Sequence, residues 1–471
     1  MPLQETEADQ SGSWSELLSP MYAPALALVC LAVWLHAGDS LIVTTMTPSM
    51  VAELGGENLL AWLFLLYILA SVVVGGASAL LTMTFGLRLP MALAALMFGL
   101  GCLISALAGN MPVVLMGRVL QGMGGGILVS IASIAVREIF PSHLFPKAMA
   151  AISTLWGSSA FLGPLLGGLF VEYANWRWGF AAFAAQAFAL ALFIWFQKNH
   201  ITPQENAKAP RLPWMGLALL TGAVLAVAYA GVEVSLARST FFIALGALGL
   251  AVFLRHDARA GTERMLPKSP FNIKTSTGSA LLMVLCLCAA TGTNNVFGTI
   301  LLTRLHGLPA IAAGYVLAAG AVGWSLAAFS MNGARESADA KLIGIGTTIV
   351  VSGLVGFALI FASGPVWAIA ALCFAVGWGF GMCWGFIVRR STNLADPKEA
   401  QRVTAAITTV QRIGYALGAA YIGIVGNALN FENTRDPQQL GHLASWLFVS
   451  CLPIALYGLF AMLRFISIER D

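Results

Sequence analysis

Runs of about twenty consecutive apolar residues recur along this chain, each long enough to cross the hydrocarbon core of a bilayer as a helix. Fourteen can be placed, at 22–46, 58–82, 90–109, 112–136, 147–171, 178–197, 213–234, 239–255, 277–303, 309–330, 342–362, 365–388, 403–428 and 443–466. A backbone inside lipid has no water to bond, so such segments must satisfy their own amides as helices. Composition points the same way: 58% of the 471 residues are hydrophobic and 10% charged, where soluble domains carry roughly 25% charged residues. The reading is an all-α polytopic membrane protein whose solvent is the lipid bilayer.

The loop charges test that count independently, because lysine and arginine accumulate on the cytoplasmic side of a membrane. With both termini on that side, the opposite loops hold only Arg177, Arg238, Arg304 and Arg435. Arg118 and Arg412 fall inside helices, and the other nineteen of the 25 basic residues lie on the side of the termini. A missed or extra helix would scramble this asymmetry. The net charge of +4 is spread over short loops instead of forming a basic patch, so no nucleic-acid partner is expected.

The first twenty residues carry Glu5, Glu7, Asp9 and Glu16 but no lysine or arginine, unlike a secretory signal, and read as a cytoplasmic extension. Two termini-side loops, 198–211 and 256–276, are longer and more polar than the rest. They divide the chain into a tail (1–21), six helices (22–197), a linker (198–211), an extra helix pair (212–255), a second linker (256–276), six more helices (277–466) and a short tail (467–471).

Functions other than transport find little footing. The cysteines (Cys30, Cys102, Cys286, Cys288, Cys373, Cys383, Cys451) all lie in apolar segments without Cys-x-x-Cys spacing, as packing residues would. The histidines His36, His143, His200, His256, His306 and His442 are scattered, and no Gly-x-Ser-x-Gly elbow, His-Glu-x-x-His or phosphate loop is present. No enzyme activity, cofactor, metal or ATP-driven step is expected. A non-transporting scaffold or sensor stays open as a reading of another class.

Asp39, in the middle of the first apolar run, carries the main functional signal. An ionisable side chain at that depth faces the bundle interior or a wet cavity and marks an ion or substrate path. His36 lies three residues earlier, on the same helical face. Arg118, several residues into the fourth run, needs an anionic partner for the same reason. A carboxyl so placed could take up and release a proton as its access to water changes; the plainer reading makes it Arg118's structural partner.

Several stretches resemble the drug:proton antiporters of the major facilitator superfamily. They are Gly38-Asp39-Ser40-Leu41-Ile42-Val43 leading to Pro48; Trp62, Tyr67 and Leu69 in the second segment; and Arg118-Val119-Leu120-Gln121-Gly122-Met123-Gly124-Gly125-Gly126 in the fourth. Gly157-Ser158-Ser159-Ala160-Phe161-Leu162-Gly163-Pro164-Leu165-Leu166-Gly167-Gly168 is similar to the antiporter motif of the fifth helix, followed by Trp176-Arg177-Trp178. Gln411-Arg412-Ile413-Gly414-Tyr415-Ala416-Leu417-Gly418 resembles the penultimate helix. With fourteen helices, the resemblance is to the fourteen-helix branch.

The resemblance implies two six-helix lobes around a central cavity that opens alternately to either side, with the intervening pair added, and a monomer in the cell membrane, the inner one if bacterial. It sets the fourth helix beside the first, so that an Asp39–Arg118 pair competes with protonation and Gln121, one turn on, reaches substrate. One departure stands out. The loop after the second helix usually carries an Asp and an Arg that latch the lobes; here Met83 and Leu87 occupy those positions, leaving Gly86 and Arg88.

Gly122, Gly126, Gly163, Gly167 and Gly168 allow close helix approach, and Pro164 weakens the local hydrogen-bond ladder, which suits packing and, as the sharper alternative, a hinge. The last six segments contain no aspartate or glutamate. Their polar and aromatic content, Asn294, Asn295, Gln411, Arg412, Tyr415, Trp324, Trp378 and Trp384, together with Trp156 of the first lobe, describes a neutral to slightly positive pocket for a small planar solute. Two directions fit: proton-coupled efflux of drugs or metabolites, slightly favoured, or uptake of a vitamin-like nutrient such as riboflavin.

Overall fold

The computed structural model describes residues 13–196 and 213–468, apart from 76, 77, 142, 233, 234, 262, 263, 332, 333 and 398. The expected linker 198–211, most of the N-terminal tail and the last three residues lie outside the described residues. Among the described residues there is no strand. Each of the fourteen expected segments contains a helix: α1 (Ala23–Leu54), α2 (Leu60–Gly75), α3 (Arg88–Ala106), α4 (Met111–Ile139), α5 (Phe145–Tyr173), α6 (Trp176–Phe196), α7 (Trp214–Tyr229), α8 (Leu236–Arg259), α9 (Ser276–His306, interrupted at Thr291), α10 (Ala310–Ser330), α11 (Asp339–Ile360), α12 (Val366–Asn393), α13 (Ala400–Ala428) and α14 (Pro437–Ser467). Twelve are long and apolar enough to cross a membrane. The 16-residue α7 and the arginine-bearing α13 complete the set.

Helix ends depart from the apolar runs where capping takes over from hydropathy. Asn110 accepts from the Val113 amide at 3.1 Å and starts α4, and Asp436 does the same for Gln439 at 2.9 Å, starting α14 before its apolar stretch. Asp339, expected in a loop, opens α11 and is buried, so the last six helices do include one acid; Arg389 of α12 bonds both of its oxygens. The second segment stops at Gly75, and a separate helix, Ser78–Phe85, runs to Gly86, whose φ of 74° lies in the left-handed region that glycine tolerates.

The helices form two six-helix lobes. In the first, α1 packs on α4, α5 and α6, while α3 packs on α4 and α6; in the second, α10 and α11 pack on α12, and α9 on α13 and α14. The lobes meet where α5 crosses α10 and α2 crosses α13, with α7 laid against that second seam and α8 outside it. Lipid gives helices no hydrophobic reason to associate, so contact depends on small residues that let backbones approach. A methyl at Gly377 of α12 would lie 1.8 Å from the Gly320 carbonyl oxygen of α10, and one at Gly124 would lie 2.5 Å from the Ala94 carbonyl oxygen of α3. The even helix number puts the described chain ends at one end of the bundle; the opposite end, which carries the connections near residues 54–60, 306–310 and 428–437, is called distal below.

Candidate functional site

Asp39 sits midway along α1, pointing into its own lobe, with 2% of its surface exposed. Arg118 of α4, 1% exposed, donates from Nη1 to Asp39 Oδ2 at 2.6 Å. The rest of the guanidinium is held as firmly: Nε donates to the Leu63 carbonyl oxygen at 3.2 Å, Nη1 also donates to Gln121 Oε1, and the plane lies over the Tyr67 ring with Cζ 4.2 Å from its centroid. Gln121 has no exposed surface, and its Nε2 donates to Ser105 Oγ at 3.0 Å. In this structure it therefore braces the arginine and offers no face to a solute.

On the other side of Tyr67 stands His36. The phenol oxygen is 2.8 Å from His36 Nδ1 and 3.2 Å from the His36 carbonyl oxygen, and the two rings stack with centroids 5.4 Å apart. Gly125 makes room for this contact, since a methyl there would lie 2.8 Å from His36 Nδ1. Trp156 of α5 meets the His36 ring edge-on at 6.0 Å and is 46% exposed, so the network ends on an open aromatic face. The carboxylate and guanidinium balance in charge, and a proton arriving at Asp39 would cancel one of the few interactions able to hold a cation at this depth.

The antiporter-like glycines divide between two neighbours. Methyls at Gly163 and Gly167 would meet Leu41 Cβ at 2.5 Å and Thr45 Cβ at 3.0 Å on α1, whereas one at Gly168 would meet Ile311 Cβ of α10, in the other lobe, at 2.4 Å. Pro164 faces the same crossing, near Gly314. On α4, Gly122 and Gly126 abut the Tyr67 and Ser71 carbonyls of α2. The motif thus packs the lobe and also forms the face on which the lobes touch.

The second-lobe candidates are less gathered. Trp324 stacks on Phe380 and lies 5.8 Å from Trp384, and Trp378 pairs with Phe374; these rings contact one another instead of the Asp39 network. Asn295 is exposed and donates to Thr291 Oγ1 at 3.3 Å, while Asn294 Oδ1 is buried without a partner. Gln411, Arg412 and Tyr415 lie on α13, half-buried, and Arg412 Nη1 crosses the seam to donate to Ser71 Oγ of α2 at 3.2 Å.

Sequence reasoning did not single out the distal end, where the lobes are pinned. Glu57, buried in the turn between α1 and α2, receives Arg304 in a two-bond fork at 2.8 and 2.6 Å and Arg435 at 3.1 Å, both from the second lobe. Asn427 of α13 adds bonds to the Asn58 carbonyl at 2.9 Å and to the Gly231 carbonyl, beyond α7, at 2.6 Å. No ion pair joins the two lobes at the termini end among the described residues, which accords with Met83 and Leu87 standing where a latch is usual. The signal was present: Arg304 and Arg435 are two of the four arginines on the side where basic residues are scarce.

A family model described as Major Facilitator Superfamily matches residues 28–419. The chain belongs to the major facilitator superfamily. A probable multidrug-efflux transporter of Mycobacterium tuberculosis is 31% identical over 437 residues, covering 89% of this chain and 91% of the relative. The multidrug efflux pump SdrM of Staphylococcus aureus is 25% identical over 407 residues, covering 84% and 88%. Among solved structures, a D-xylose–proton symporter superposes with a TM-score of 0.65 at 14% identity, covering 96% of this chain and 98% of that one. An inward-facing bacterial homologue of the human lysosomal transporter Spinster gives 0.65 at 13% identity, covering 97% and 99%. This superfamily member is accordingly a polytopic integral membrane transporter.

Proposed function

We propose that this transporter exports small, planar, neutral or weakly anionic organic compounds by alternating access, coupled to protons through Asp39. The observation that carries the reading is the buried 2.6 Å Asp39–Arg118 pair, which leaves the first lobe with a single carboxylate at mid-depth, closed in by Tyr67, His36 and Gln121. Protonation of Asp39 removes the ionic tie to Arg118, leaving Nη1 on Gln121 Oε1, and loosens α1 against α4, next to the Trp156 face on which an aromatic solute can stack. The drug-exporting names of the relatives favour the outward direction, and neither they nor the geometry lends support to vitamin uptake. The distribution of basic residues favours cytoplasmic termini.

The test is substrate-driven proton movement in inverted membrane vesicles, read with a pH-sensitive dye, for a panel of planar dyes and antibiotics. Asp39→Asn is expected to insert normally, to retain binding, and to move neither proton nor solute against a gradient. Uphill export by Asp39→Asn at the wild-type rate would refute the coupling role.

A further inference from the structure

We infer that Arg412 is the docking point for an anionic group on the transported compound. The inference rests on the transport reading above and assigns it a substrate class: flat aromatic compounds carrying a carboxylate or a similar oxyanion.

Charge balance makes the case. Asp39 is committed to Arg118, so that pair contributes no net charge. Arg412 lies midway along α13, and among the described residues no carboxylate is paired with it; its one protein hydrogen bond goes to the neutral Ser71 hydroxyl, which itself donates to the Ile68 carbonyl at 3.0 Å. The acids of the second lobe are elsewhere: Asp339 is held by Arg389 near the termini end, Glu399 by Arg264 and Arg402 at the start of α13, and Glu336, Asp396, Glu432 and Asp436 lie in the connections between helices. The centre of the molecule therefore carries one uncompensated positive charge at a depth where an isolated arginine is costly.

Geometry gives that charge a usable face. Nη1 is turned to Ser71, while Nε and Nη2 have no hydrogen-bond partner among the described residues and are not sealed from solvent, since neither is among the fully buried, unpartnered atoms. A planar fork with two free donors matches a carboxylate. The Arg412 bond falls on Ser71, one turn along α2 from Tyr67, whose hydroxyl meets His36, and the His36 ring meets the half-exposed Trp156. An oxyanion on Arg412 and a ring system on Trp156 would thus be spanned by one small molecule, lying between a residue of each lobe. Binding there competes with the Arg412–Ser71 bond across the seam, so occupancy acts on the contact that joins the two halves.

The experiment is a thermal-stability screen of the purified, full-length protein in chloride-free buffer. The probes are matched sets of planar aromatics with carboxylate, carboxamide or aminomethyl substituents, with chloride and phosphatidylglycerol as separate arms. Carboxylates are expected to raise the melting temperature of the wild type, while carboxamides and amines do not. Arg412→Gln should weaken the response roughly ten- to a hundredfold in midpoint concentration, and Arg412→Lys should restore part of it. Stabilisation by amides or amines as strong as by carboxylates, an unchanged carboxylate response in Arg412→Gln, no carboxylate response in the wild type, or a response to chloride or phosphatidylglycerol alone would each overturn the assignment. Ligand-free melting of both variants reports folding separately. If the assignment fails while Asp39-dependent export persists, only the substrate class falls; if Asp39→Asn also exports normally, the coupling reading falls with it.

Discussion

Removing the charge of Glu57 should open the distal end of the transporter. Its carboxylate takes the Arg304 fork at 2.8 and 2.6 Å with Glu57 7% and Arg304 24% exposed, so this pair is partly shielded from water. Arg435, at 3.1 Å but 66% exposed, adds little. A charge-assisted fork in such a setting is worth about 2–3 kcal/mol, and discounting for Arg304's access to water leaves roughly 2 kcal/mol. Because the bonds join the two lobes, that free energy counts only in the state with the distal end closed, and its loss shifts the open-to-closed ratio about 30-fold. Spin labels at Gly109 and Gly364, in distal connections of opposite lobes, read the change as a longer distance population in Glu57→Gln by pulsed dipolar spectroscopy. Arg304→Ala should reproduce it. Identical distance distributions in wild type, Glu57→Gln and Arg304→Ala would refute the clamp.

Arg118→Ala leaves Asp39 buried without its cation and should destabilise the protein by about 3–5 kcal/mol, while Asp39→Asn combined with Arg118→Gln should lose far less; additive losses in melting experiments would mean that the two are not coupled. Gly168→Val drives a branched side chain into Ile311 across the seam, where the space allows none. It should cost about 1–3 kcal/mol and stop transport with normal membrane insertion, checked by export assay beside expression level.

Helix number was legible from apolar length, and the cost of charge in lipid said that Asp39 and Arg118 each need a partner; that they partner each other came from the family resemblance, which sets the fourth helix beside the first. The braces around the pair were not. Ser105 looks like an ordinary core residue and Tyr67 stood out only as part of the resemblance, with no role attached; only the α3–α4 and α2–α4 crossings bring them to Gln121 and Arg118. Gln121 resembled a substrate contact because its position along the helix says nothing about what fills the space beside it. The tryptophans were ambiguous for the same reason, since Trp324 and Trp384 satisfy each other as readily as a ligand. Helix ends were displaced where single caps such as Asn110 and Asp436 extend a helix past its apolar run.

The polar contacts between the lobes also constrain how the cycle can run. Described ones lie at the distal end, through Glu57 and Asn427, and at mid-depth, through Arg412 and Ser71. At the termini end, where the family usually places a latch, Met83 and Leu87 provide no charge. A transporter held at one end needs an energy source to release it, and the roughly 2 kcal/mol assigned to the Glu57 fork is within reach of a ligand that binds the other state about 30-fold better. On the proposed reading, a solute bridging Arg412 and Trp156 would exert that preference by displacing Ser71 from the seam, while protonation of Asp39 would loosen α1, the helix that leads into the Glu57 turn. On the proposed reading the Glu57 clamp, the Asp39–Arg118 pair and the Ser71 contact of Arg412 all bear on α1 and α2, and weakening the clamp should lower the ligand dependence of opening as well as raise its basal level.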